Sequence, residues 1–161
     1  MPKKKSPKST SLEAFEEFID AHLWRIQCAL YLTEWNMVAS DAKDSTDEWA
    51  VTHDPDILFE VKIDYTYLRA SICWGKAAKK QWKQGWKWNL INGLVHEVCH
   101  VYTNYAFECL PQKEWSNSKF RFLLENATSR VERIANARYR EYLKDQGIDY
   151  RTGKYKLTKS K

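Results

Sequence analysis

His96, Glu97 and His100 are the residues of this chain whose types and spacing could do chemistry, because His96-Glu97-Val98-Cys99-His100 is an HExxH motif. On a helix, residues four apart stand one above the other on one face. Both imidazoles can therefore reach a single cation, while Glu97 is rotated one step away. Neutral imidazole suits zinc, and two histidines with one carboxylate leave a fourth position for water, which is a catalytic rather than a structural arrangement. Glu97 is then the general base. Leu90, Ile91, Leu94, Val95, Val98 and Val101 recur around the motif at helical spacing, so it lies on a helix with a buried side. Buried histidines and a buried glutamate need partners, and a metal with its water supplies them more cheaply than bare burial.

A catalytic zinc needs a third protein ligand. No histidine follows His100, so a carboxylate must serve, and a third histidine a few residues beyond the motif is excluded. The acids available downstream are Glu108, Glu114, Glu125, Glu132, Glu141, Asp145 and Asp149. Glu108 and Glu114 fall in a loop that must still reverse the chain. Glu125 stands in the first turns of a following helix, where an antiparallel return brings it beside the two histidines. It is the expected ligand, with Glu132, two turns further on the same face, in reserve. The acid that does not bind is expected at the surface or behind a ligand.

Elements that could position these groups follow from the chain in order. Residues 1–10 are a polar, lysine-rich tail expected to be disordered. Thr10 and Glu13 form a capping box for a first helix carrying Leu12, Phe15, Phe18, Ile19 and Leu23. Trp24, Ile26, Cys28, Leu30 and Leu32 alternate and predict a strand. Short strands are expected at 36–39 and 49–52 around the acidic turn 40–47, with further strands at 59–65 and 68–74. The sheet they make is expected to be small and mostly antiparallel. A loop after about Tyr105 leads to a final helix carrying Phe120, Leu123, Leu124, Ala127, Val131, Ile134 and Ala135 and ending near Gly147. The fold class is thus α+β, with a single domain over 11–147 and a basic tail at 148–161.

Composition sets bounds. The 161 residues suffice for one domain with its own core, and 43% hydrophobic content with eight Trp marks a globular chain. The net charge of +5 resides in the tails: Lys3, Lys4, Lys5 and Lys8 precede the domain, Arg151, Lys154, Lys156, Lys159 and Lys161 follow it, and residues 11–150 sum to −4. Such tails serve solubility, with weak polyanion contact as a second use. Cys28, Cys73, Cys99 and Cys109 show no paired spacing, and nothing resembles a signal segment or a membrane span, so a reduced, cytoplasmic setting is expected. Lys76 to Trp88 interleaves five lysines with Trp82, Trp86 and Trp88. A short amphipathic helix, Trp inward and Lys outward, is the favoured reading. Single-strand nucleic-acid binding is the alternative.

Strands, then a helix with His96-Glu97-Val98-Cys99-His100, then a helix bearing Glu125-Asn126-Ala127-Thr128 resemble a minimal zincin of the glutamate-ligand kind. In particular, residues 11–145 are similar to the small metallopeptidases encoded in phage and prophage genomes. The resemblance implies His96, His100 and Glu125 as zinc ligands, Glu97 as base, and hydrolysis of a protein or peptide substrate in the host cytoplasm. It also implies an oxyanion stabiliser, for which Tyr102, Arg130 and Tyr139 are available, and a strand that holds the substrate by strand addition, for which 67–74 is the expected segment. Two other readings stand beside it. One is a DNA-associated protease like the SprT family, whose third histidine is absent here. The other is a non-catalytic interaction protein on a zincin scaffold.

Overall fold

The structure is a computed structural model that describes residues 11–41, 56–105 and 118–150. Helix α1 spans Ser11–Ala29, strands β1, β2 and β3 span Asn36–Asp41, Phe59–Asp64 and Arg69–Trp74, and helices α2, α3 and α4 span Lys76–Lys83, Lys87–Thr103 and Ser118–Asp145. The class is α+β, as expected. Thr10, the expected strand at 49–52, the loop 106–117 with Glu108, Cys109 and Glu114, and both basic tails beyond 150 and before 11 lie outside the described residues.

Helix α1 does not give way to a strand at Trp24. Phe15, Ile19, His22, Leu23 and Ile26 are buried at helical spacing, and Gln27 and Ala29 extend the same face. The alternating set is split: Ile26 is in the core and Trp24 is 57% exposed. Period two over that stretch was a by-product of a helix with an indole on its wet side. The helix stops where Tyr31 takes a left-handed φ of 57°, with the Tyr31 N–H donating to Cys28 and that of Leu32 to Gln27. This is a Schellman end made without glycine. The Gln27 amide then donates to the Trp35 carbonyl at 2.9 Å, fixing the entry to β1.

The sheet order is β1-β3-β2, with β1 parallel and β2 antiparallel to β3. It is therefore mixed rather than mostly antiparallel. The β2–β3 hairpin turns on Asp64, whose carboxylate accepts from the N–H groups of Thr66 and Tyr67. Ala70, Ile72 and Trp74 of β3 are buried, and α1, α2 and α3 pack against the sheet. Helix α4 returns along α3 and touches α1. It ends at Gly147, whose φ of 66° is the left-handed cap that glycine adopts without a Cβ penalty. Packed chain continues past the expected boundary at 147: Ile148 is buried, and Tyr150 meets Trp88 edge to face at 5.1 Å. Among the described residues no helix is long and apolar enough to cross a membrane.

Helix α3 crosses β2 at Gly93. A Cβ built there would meet Phe59 Cδ2 at 2.8 Å and Leu58 Cδ2 at 3.0 Å, and Phe59 is itself buried. In an open helix Gly→Ala stabilises by about 0.5–1 kcal/mol. Here Gly93→Ala is expected to destabilise by about 1–3 kcal/mol through overpacking. Urea denaturation reads the sign directly, and a gain in stability would mean that Phe59 yields.

A candidate metal centre between two helices

Helices α3 and α4 run antiparallel, which brings His96 beside Glu125 and Glu132, and His100 beside Glu125 and Thr128. His96 Nε2 lies 3.4 Å from Glu125 Oε2, and His100 Nε2 lies 3.7 Å from Glu125 Oε1. The two imidazoles stand nearly perpendicular, with centroids 5.0 Å apart. One donor atom from each of His96, His100 and Glu125 falls within 4.8 Å of the others.

The far sides of both rings are occupied. His96 Nδ1 meets Glu132 Oε2 at 3.0 Å, and Glu132 Oε1 accepts in turn from the Asn136 amide at 3.2 Å. His100 Nδ1 lies 3.1 Å from Asn104 Oδ1 and 3.2 Å from Thr128 Oγ1. Glu132 and Asn104 can only accept there, so each Nδ1 carries the proton and each Nε2 presents a lone pair to Glu125. Thr128 is free to accept as well, because its own hydroxyl donates to the Leu124 carbonyl. Two lone pairs and a carboxylate converging on one point repel unless a cation sits among them. A divalent ion satisfies all three at once, and the Nδ1 partners orient the rings in the way metal-bound histidines are usually held. The donor set thus fits zinc.

Glu125 is the acid that faces both histidines. Glu132 stands behind His96, while Glu141, further along α4, pairs with Arg138 at 3.0 Å. Burial is the main influence on His100 and holds it below the usual histidine range, against the pull of Glu125 and Asn104. Glu97, one step round α3, faces β2 and accepts a hydrogen bond from the Val61 N–H. Burial, with Glu125 and Glu60 nearby, pushes its carboxyl up to about 8. Burial pushes the intervening Cys99 thiol to about 12, so it is inert as a nucleophile.

The candidate oxyanion groups do not gather here. Tyr102 donates to the Leu30 carbonyl, and Tyr139 is buried with its hydroxyl 2.6 Å from His22 Nδ1. Arg130 is exposed and lies five residues beyond Glu125, about 140° round the helix. Nor can 67–74 hold a substrate by strand addition, because β3 is central and its backbone groups are already paired on both sides. The edge that borders Glu97 belongs to β2.

Thr128, Asn104 and Asn136 are site residues that sequence reading missed. A signal existed: Glu125, Thr128, Glu132 and Asn136 recur at three- and four-residue spacing, a polar stripe on one face of α4. No protein-family model matches the chain, and no curated protein or solved structure matches it significantly.

Proposed function

We propose that the chain is a zinc-dependent peptidase of the small zincin-like kind, acting on a protein or peptide in the cytoplasm. The observation that carries this reading is the convergence of His96, His100 and Glu125 at one point, with Glu97 on the adjoining face of the same helix. His96, His100 and Glu125 would hold the ion, with Glu132 and Asn104 keeping the imidazoles in register. Bound zinc supplies a water of lowered pKa and polarises a carbonyl. Glu97, whose carboxyl a bound cation would draw back down toward its ionised form, accepts the proton of the attacking water and returns it to the leaving amine. The outer edge of β2 is the place for an extended substrate, beside Glu97. Cys28, Cys73 and Cys99, the cysteines among the described residues, are free, in keeping with a reducing compartment.

The test is elemental mass spectrometry of protein purified without a metal-binding tag. About one zinc per chain is expected, lost in His96→Ala and in Glu125→Ala. Glu132→Gln is expected to keep the ligand set and weaken zinc by about 10–100-fold. Zinc retained at full occupancy in Glu125→Ala would move the third ligand elsewhere, and a wild type that takes up no zinc when supplied with it sinks the reading.

A further inference from the structure

Six cations and no acid lie between Asp64 and Glu97, namely Arg69, Lys76, Lys79, Lys80, Lys83 and Lys87, although residues 11–150 are net acidic. Positive charge is therefore concentrated in this segment of the chain. Lys79 is ion-paired with Asp41. Lys76, Lys80 and Lys83 are exposed on α2 and border one shallow hollow, at the four- and three-residue spacing that forms a row.

The three tryptophans of this segment divide. Trp82 turns inward, with ring centroids 5.6 Å from Phe15 and 5.1 Å from Phe18, as an amphipathic helix requires. Trp86 does not, and is 53% exposed at the α2–α3 turn. It opens onto a second hollow of about 550 Å³, walled by Trp88, Asn89, Arg140 and Tyr150. The Arg140 guanidinium lies 4.5 Å from the Trp88 ring centre and 5.9 Å from that of Tyr150. A row of cations leading into a cationic hollow with aromatic walls suits a polyanion that also carries flat rings. An acidic peptide has the charge without the rings, and a duplex keeps its rings stacked inside.

We propose that this surface binds single-stranded nucleic acid, with phosphates along Lys76, Lys80 and Lys83 and a base against Trp86 in the hollow beside Arg140. It lies at the start of α3, roughly 12 Å along the helix from His96, and is independent of the metal centre.

Fluorescence anisotropy of a labelled oligothymidylate, titrated with the full chain in EDTA at low and at physiological salt, tests this. Binding is expected to weaken with salt, with a log–log slope of about −2 or steeper. Trp86→Ala is expected to reduce affinity about 5–100-fold, and Trp86→Phe to restore most of it. Substituting Lys76, Lys80 and Lys83 together by Ala is expected to flatten the slope by about 2. Oligouridylate binding comparably would extend the site to RNA, and its failure would confine the site to DNA. Three results would overturn the proposal. These are affinity unchanged in both patch variants, loss of binding only when Lys3, Lys4, Lys5 and Lys8 become Ala, and competition by polyglutamate or a duplex as strong as that of the unlabelled single strand.

Discussion

Glu97→Gln is expected to lower the rate of peptide hydrolysis by about 10²–10⁴-fold while leaving zinc at about one per chain. Glutamine has the shape of glutamate and keeps a carbonyl oxygen for the Val61 N–H, but it cannot take a proton from water. Folding should not suffer. Glu97 is half-buried with Glu125 and Glu60 nearby, and these neighbours, like the loss of solvent itself, disfavour its charged form; a neutral amide removes that opposition. The measurement pairs cleavage of an unstructured, fluorogenic protein substrate with metal content on the same preparation. Cleavage at the wild-type rate would remove Glu97 from the base role. A zinc-loaded wild type that cleaves no unstructured substrate would favour the non-catalytic scaffold.

The second large effect concerns stability rather than rate. His22 is 1% exposed, its Nδ1 is 2.6 Å from the Tyr139 hydroxyl, and burial, helped by Arg25 and Lys87, lowers its pKa from 6.5 to about 4. As pH falls below 6.5 the unfolded chain takes up a proton there, whereas the folded chain does not until about pH 4. The unfolded state binds more protons throughout this window, so stability falls with falling pH. The total loss from this group is roughly 3 kcal/mol. The double variant His22→Phe with Tyr139→Phe removes the titrating ring without stranding the hydroxyl. Urea midpoints measured from neutral pH down to about 4 should decline less steeply in that variant. His100 contributes with the same sign in both proteins and cancels in the difference. Parallel pH profiles would mean that His22 protonates without leaving the core.

What could be read from the chain was what depends on near neighbours in sequence. Period 3.6 through Leu90, Leu94, Val98 and Val101 identified α3. The polar order of α4 put Glu125 and Glu132 on one side, although α4 begins at Ser118, a full turn or more before Glu125. The strands β2 and β3 followed from the alternation over 59–65 and 68–74. Pairings between distant segments were not legible. Nothing in Asn36–Asp41 states that it will lie parallel to β3 rather than antiparallel to a nearer strand. Tyr102 and Tyr139 passed as oxyanion candidates because residue type reveals a hydroxyl and conceals its partner. Their partners, Leu30 and His22, lie 72 and 117 residues away. The α1 boundary failed because Trp24 and Cys28 look apolar in sequence, whereas the helix leaves the indole to solvent.

That long span between His22 and Tyr139 also bears on how the molecule is made. A ribosome delivers α1 early, with Phe15, Ile19, His22 and Ile26 already arrayed on one side, but Tyr139 and Leu143, which join the same core, emerge more than a hundred residues later. Until then α1 has only part of its permanent cover, supplied by β1, α2 and α3. Contacts of such sequence separation close late and slowly. The nascent chain is therefore most open to capture by chaperones, or by another nascent copy, while α1 waits for the C-terminal helix.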